Sequence, residues 1–391
     1  MACRTGYRVQ DLFGALIMML ERQGLTRAQT IVPPLLFTHP TVNSVAMLQA
    51  LAKKVFEGDA RWDNLHRIEY STPGRWVQSL DMSAMSVDDE DQLAFDSILR
   101  RLIPILPFLG SIHLNARLQL SRGAYTALQA VRLRVLTGAV FDAPHLGPTA
   151  PAGSPAAAHM LYRSLQDPLL CLLRNCAFLQ ELELVPPEGD DQSDVEDDFP
   201  IPEGAEEELH EPLELPKLSR FALLLKPEAP LARLFARSLL PSLQHLVLHA
   251  ELANSTSFLE AHGANLRVLA LFVPPKATVS GYPTNLLSTC PSLRHLVLPS
   301  SAIPLQPDPG HEHPLITLSI PRPDPHLLRT LEMGTFPALR VVQLRDARWL
   351  RRGVASQARF AGIAGEMSRW KTRLGRLNIR VVDAAGRQDG A

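Results

Sequence analysis

Across 391 residues, 39 Lys and Arg oppose 40 Asp and Glu for a net charge of −1, and 46% of the chain is hydrophobic against 20% charged. That is apolar material enough for a large core, arranged either as one elongated solenoid or as two globular domains. No apolar run reaches the ~18 to 20 residues of a membrane-spanning helix, so no membrane partner is expected.

The first element in chain order places Val9, Leu12, Phe13, Leu16, Ile17 and Leu20 on one helical face. Arg4 and Arg8 stand ahead of it as in a secretion signal. Asp11 interrupts the start, however, and no small-x-small cleavage site follows, so an amphipathic packing helix is expected instead. Val45, Leu48, Leu51, Ala52 and Val55 make a second apolar helical face, and residues 1–60 are read as a helical N-terminal cap.

A different pattern then takes over, Leu-x-x-Leu-x-Leu. It is found at Leu109/Ile112/Leu114, Leu128/Val131/Leu133, Leu179/Leu182/Leu184, Leu218/Phe221/Leu223, Leu243/Leu246/Leu248, Leu266/Leu269/Leu271, Leu293/Leu296/Leu298 and Leu339/Val342/Leu344. Weaker copies stand at Leu65/Ile68/Tyr70, Leu315/Leu318/Ile320 and Leu374/Leu377/Ile379. Two stretches, Pro241 to Leu248 and Pro291 to Leu298, share the string Pro-Ser-Leu-x-His-Leu-Val-Leu. Helical segments separate the triplets: Phe95 to Leu102, Leu161 to Leu173, Leu231 to Leu240, Phe258 to His262, Leu327 to Met333 and Phe360 to Leu374, with room for only one turn at Asn285 to Ser288.

From Leu218 to Leu339 the first leucines fall 25, 23, 27, 22 and 24 residues apart. Upstream the steps are 44, 19, 51 and 39, and the last step is 35. A period of about 20 to 29 residues with this consensus is that of a leucine-rich repeat. The expected fold is therefore α/β, a leucine-rich repeat solenoid with a curved parallel sheet and return helices, irregular and insert-containing, over residues 61–382. Pro107, Pro216, Pro241, Pro291 and Pro337 mark the joints between a helix and the next strand.

Three inserts interrupt the repeat, an Ala/Pro/Gly-rich one at 143–158, an acidic one at 186–214 and a Pro-rich one at 299–314; residues 383–391 read as a frayed tail. Glu188 to Glu214 contains thirteen acidic residues and no Lys or Arg, so a whole-chain charge of −1 leaves the rest at +12. Such a segment cannot bury enough apolar surface to order itself and is expected to be disordered.

The four cysteines, Cys3, Cys171, Cys176 and Cys290, lack paired zinc spacing, so a reduced protein of the cytoplasm or nucleus is expected. Cys176 and Cys290 stand alike, three residues before a first repeat leucine, where a small buried thiol packs well. No phosphate-cradling, dinucleotide, nucleophile-elbow or zinc-protease motif occurs, so neither an enzyme nor a cofactor nor a metal is expected.

In each triplet strand alternation sends the leucines inward and the residues between them outward. The candidate partner contacts on the concave face are His113, Arg132, Glu181, Glu183, Arg220, His245, Val247, Phe272, His295, Gln343 and Arg345. His249 is expected to face outward as well. His245 and His295 share a column, but the repeat at Leu266 separates them by two strand spacings, about 10 Å, too far to share one metal ion. Val247, Val268, Ala270, Phe272 and Val297 form an outward apolar stretch, expected either to mark a partner surface or to be covered by a loop such as 299–314. Basic residues gather near the end, from Arg345 to Arg380, but aromatic residues are sparse among them and no nucleic-acid module is recognisable, so nucleic acid is the alternative partner rather than the first.

Cys290-Pro-Ser-Leu-Arg-His-Leu-Val-Leu298 and Asn175-Cys-Ala-Phe-Leu-Gln-Glu-Leu-Glu-Leu184 resemble the irregular, cysteine-containing repeats of F-box-type substrate receptors. The segment Val32-Pro-Pro-Leu-Leu-Phe-Thr-His-Pro-Thr-Val42 is similar to the junction from an F-box into the repeats in fungal proteins of that kind, although residues 1–30 contain no Leu-Pro-x-Glu opening and no recognisable F-box. The resemblance implies a non-catalytic scaffold that holds a protein partner, linked to cullin-type ubiquitin ligase subunits.

Overall fold

The computed structural model describes residues 37–60, 72–118, 120–140, 168–186, 212–224, 230–250, 256–273, 285–300, 303, 305, 312–322, 324–333, 336–347 and 358–388. The chain forms two compact units, 1–138 and 139–391. The expected helix at Val9 to Leu20, the weak triplet Leu65/Ile68/Tyr70, the insert at 143–158 and most of the acidic insert lie outside the described residues.

In the first unit α1 (Val45–Ala60), α2 (Pro73–Trp76), α3 (Asp89–Leu102) and α4 (Arg122–Leu128) accompany β1 (Ser79–Asp81), β2 (Ser111–His113) and the first four residues of β3 (Val135–Val140). The strands lie side by side in sequence order, all parallel. Val45, Leu48, Ala52 and Val55 bury one face of α1, which packs on α2 and α3. Thr41 bridges Asp81, so the edge of β1 is covered by a short stretch beginning with Pro40, which has no N–H to offer.

The second unit contains α5 (Pro168–Asn175), β4 (Glu181–Val185), β5 (Arg220–Leu223), α6 (Pro230–Arg237), β6 (His245–His249), α7 (Thr256–His262), β7 (Val268–Phe272), α8 (Leu286–Thr289) and β8 (His295–Val297). There follow β9 (Thr317–Ile320), α9 (Pro325–Glu332), β10 (Val341–Leu344), α10 (Ala358–Gly375) and β11 (Arg380–Val382). Its eight strands pair in sequence order, each parallel to the next. This is a solenoid-like α/β arrangement.

One turn recurs ahead of the strands. The N–H of the first leucine donates to the carbonyl three residues earlier: Leu109 to Leu106, Leu179 to Cys176, Leu218 to Leu215, Leu243 to Leu240, Leu266 to Gly263, Leu293 to Cys290 and Leu339 to Phe336, at 3.0 to 3.2 Å. Pro107, Pro216, Pro241, Pro291 and Pro337 take the second position of this turn, where a fixed φ near −65° is what a type I turn requires. The joint prolines of the sequence are turn formers. The fourth residue after each joint proline thereby opens a strand, and the two N–H groups after the leucine share one carbonyl of the preceding repeat. Gln244 and His245 donate to Ser219, Arg267 and Val268 to Gln244, and Arg294 and His295 to Arg267.

Helix starts are set by side chains. Asp324 Oδ1 accepts from His326 N at 2.8 Å and Leu327 N at 3.0 Å with Pro325 next, and Ser121 Oγ accepts from Gly123 N and Ala124 N; such caps are worth about 1 kcal/mol each. Between sheet and helices Phe221, Phe235 and Phe258 stack at ring-centroid distances of 4.6 and 6.4 Å. His262 joins edge-on to Phe258, and its Nε2 meets the Phe235 carbonyl at 3.0 Å, tying α7 to α6.

Two triplets are corrected. Leu128 belongs to α4, not to a strand; the third strand starts at Val135, in register Ile112↔Leu136, so the first two triplet positions fall on the buried Leu133, just ahead of the strand, and Leu136. The third leucine position is Gly138, at φ +69°, where a Cβ would collide with the Leu114 carbonyl. Likewise Leu374 lies in the last turn of α10 and Leu377 is exposed, while β11 begins at Arg380 with Val381 opposite Val342. One further unit carries no Leu-x-x-Leu-x-Leu: Val77, Leu80 and Met82 are buried on β1 and its flanks, with Leu80 in register with Ile112. Beyond β11, Asp383 is buried and its Oδ1 accepts from Ala385 N and Arg387 N, closing a turn at the start of the segment read as a tail.

Gly138→Ala should destabilise the protein by about 2 to 4 kcal/mol, because it adds both a positive φ on a residue with Cβ and a backbone collision. Gly375→Ala, where a Cβ meets nothing within 4 Å, should be neutral or slightly stabilising. Urea unfolding of both variants checks this, and equal midpoints would refute it. Thiol labelling of the native protein should modify half-exposed Cys171 well before Cys176 and Cys290, since burial pushes their thiols to about 11 and about 12.

Candidate outward sheet face

Because the aliphatic side chains of β4 to β10 occupy the inner face at 0 to 3% exposure, the residues between them are free to differ from repeat to repeat. Register assembles them into two columns across the second unit. The first is Glu181, Arg220, His245, Val268, His295, Thr317, Val341 and Arg380. The second is Glu183, Ala222, Val247, Ala270, Val297, Ser319, Gln343 and Val382.

The first column is charged at the β4 end. Arg220 lies 3.7 Å from Glu181, an exposed pair worth under about 1 kcal/mol. Beside it burial holds the His245 imidazole below its ordinary 6.5; the positive fields of Arg220, His295 and Arg267 push the same way, and Glu181 opposes them. His245 and His295 flank Val268, so they do stand two strand spacings apart. Among the described residues no three His, Cys, Asp or Glu side chains gather as a metal site.

The second column is apolar in its middle. Ala222, Val247, Ala270 and Val297 are all half-buried neighbours, bounded by Glu183 on one side and on the other by Ser319, whose Oγ lies 3.4 Å from Gln343 Oε1. Phe272 ends β7 with 39% of its surface exposed.

Other expected contacts sit elsewhere. His113 is on β2 in the first unit, and its Nδ1 lies 2.8 Å from Thr137 Oγ1. Arg132 is exposed in the turn before β3 and is not on the sheet, a consequence of the shifted triplet. Arg345 follows β10, and its Nη2 donates to the Leu298 carbonyl, so its guanidinium spans strands instead of pointing free. His249, expected outward, is 2% exposed, because β6 runs one residue past its triplet and that end is enclosed together with Ala250.

Sequence reasoning missed Arg267 and Arg294. Each directly follows the first leucine of a triplet, a position the alternation argument assigns to the turn, yet both are exposed at the N-terminal rim of the columns. Recurrence of Arg at that one offset, also in Arg340, was the available signal.

No family model matches the chain, and no curated protein matches it. Among solved structures, the crystal structure of a Bacteroides fragilis protein is similar over 85% of this chain and 73% of that one, at a TM-score of 0.35 and 10% identity. At that level the likeness carries no functional information. Among the described residues no helix is long and apolar enough to cross a membrane.

In an NMR titration the His245 imidazole should show a pKa below 6.5. Arg220→Gln or Arg267→Gln should raise it by removing a like charge, and Glu181→Gln should lower it. Insensitivity to all three substitutions would disprove the arrangement of charge described above.

Proposed function

We propose that this chain is a leucine-rich repeat scaffold of the F-box-like kind, non-catalytic, which holds a protein partner on the outward face of β4 to β11 in the cytoplasm or nucleus and delivers it to a cullin-type ubiquitin ligase. The observation that carries the scaffold reading is the second column. A run of four adjacent half-buried aliphatic side chains, Ala222 to Val297, faces away from a core that does not need it. Runs of that kind mark partner surfaces. The repeat reading is supported by the recurring turn and by steps of 22 to 27 residues, each supplying one strand.

A nucleic-acid role for the basic C-terminal region has less support, since Arg373 is held by Glu332 at 2.8 Å.

Affinity purification of the wild-type chain and of Ala270→Gln, a neutral obstruction in the middle of the column, provides the test. The wild type should recover cullin-complex subunits together with a substrate protein, and Ala270→Gln should lose the substrate by more than about tenfold while keeping the ligase subunits. Partners without any cullin subunit would reject the ligase link and keep the scaffold; equal recovery of every partner by the variant would reject this face.

A further inference from the structure

Four adjacent strands, β5 to β8, contain no Asp or Glu, and neither do the residues that immediately precede them, Ser219, Gln244, Arg267 and Arg294. Their ionisable side chains are all of the basic kind: besides His249, which is buried, they are Arg220, His245, Arg267, Arg294 and His295. Register makes them one group. Arg220 pairs with His245, His245 with Val268, and Val268 with His295, while Arg267 and Arg294 are adjacent on the rim through the bond from Arg294 N to the Arg267 carbonyl at 2.8 Å. Neighbouring strands stand about 4.8 Å apart, so the five cationic or protonatable groups fall within about 15 Å of one another. The repulsion is felt inside the group, because Arg220, Arg267 and His295 all bear on His245. Among the described residues Glu181 and Glu183 stand on the flanking strand β4; Glu181 lies 3.7 Å from Arg220, and its field also reaches His245. Nothing in folding asks for this, since the outward positions contribute little to the core and like charges placed together oppose it. Immediately along the strands, about 7 Å away, runs the apolar column Ala222, Val247, Ala270 and Val297.

We propose that the juxtaposed basic rim and aliphatic column of β5 to β8 form a recognition site for an acidic segment of a partner protein, one whose Asp and Glu carboxylates lie over Arg220, His245, Arg267, Arg294 and His295 and whose aliphatic side chains lie over Val247 and Ala270. The inference rests on the scaffold reading and adds to it the chemistry of the partner. The choice of occupant follows from charge complementarity together with the aliphatic column beside it. A nucleic-acid backbone would satisfy the arginines but leave the aliphatic column without a counterpart. Electrostatic steering toward such a rim also speeds encounter and makes it salt-dependent.

The test uses the full chain and a fluorescein-labelled peptide of about fifteen residues in which Glu alternates with Leu and Val, with the same peptide bearing Gln for Glu and a single-stranded thymidine oligonucleotide as comparisons. The Glu peptide should bind, the Gln peptide should not, and affinity should fall steeply from low to moderate salt. Arg267→Gln and Arg294→Gln, both at exposed positions where folding is unaffected, should each weaken binding about threefold, and together about tenfold. Val247→Ser should weaken it too, whereas Arg376→Gln, at an exposed position near the chain end, should not. Absence of peptide binding by the folded chain at low salt overturns the proposal. So does oligonucleotide binding of equal strength that ignores Val247→Ser, which would identify a nucleic-acid surface. If Ala270→Gln loses the purified partner while the Arg267→Gln, Arg294→Gln double variant keeps it, the scaffold stands and the acidic-segment inference falls.

Discussion

A single carbonyl shared by two N–H groups fixes where each strand starts. In the second unit the chain Gln180, Ser219, Gln244, Arg267, Arg294 and Ile316 passes this bond from repeat to repeat, each oxygen receiving the N–H groups of two successive residues in the next copy. The turn before it determines which residues those are, since the first leucine is tied to the carbonyl three residues back. With start and register set, alternation does the rest: a slip of one residue would exchange the buried leucines for Arg220, His245 and Glu183. Burying each aliphatic side chain is worth about 1.5 to 3 kcal/mol, so that exchange is excluded by a wide margin.

That constraint also explains what could be read in advance. From Leu179 to Leu344 the triplets coincide with β4 to β10 because the second and third positions are aliphatic or aromatic and the turn ahead is punctuated by proline or by a small residue. The pattern failed where one triplet position had been given to something else. On β3 the third slot is Gly138, whose backbone approaches Leu114 too closely for any side chain, so the consensus matches Leu128 on the neighbouring helix instead. Just past β11 the corresponding slot holds Asp383, a carboxylate satisfied by backbone N–H groups and therefore buried at little cost, so the consensus matches Leu374 and Leu377 instead. On β1, Val77 and Met82 replace leucine at both ends. In each case tertiary packing tolerated a residue that a consensus cannot represent.

The outward face was legible in part for the same reason. Alternation alone places Glu181, Glu183, Arg220, His245, Val247 and His295, since a strand's two faces follow from its inward set. It could not tell that Arg345 bends back to the Leu298 carbonyl, that the end of β6 encloses His249, or that Arg267 and Arg294 project from the rim. Those outcomes depend on how the chain leaves and enters a strand, which has no period to detect.

Inner and outer residues of these strands answer to different demands, and the contrast gives the outer ones meaning. An inner position must be apolar and of the right volume. An outer one on a parallel ladder faces its own counterparts in the next repeats about 4.8 Å away, so a column drifts toward small, uncharged or alternating side chains if only folding matters. The second column does so through Ala222, Val247, Ala270 and Val297, yet it leaves four aliphatic groups half-exposed in a row. The first does not: Arg220 and His245 stand next to one another, and on the rim ahead of it Arg267 stands next to Arg294, without an acidic residue between them. Exposure keeps each repulsion small, and salt screens it further, so the fold survives the arrangement. The same exposure keeps the positive field directed outward, where an anionic ligand would cancel it and gain what the free protein forgoes.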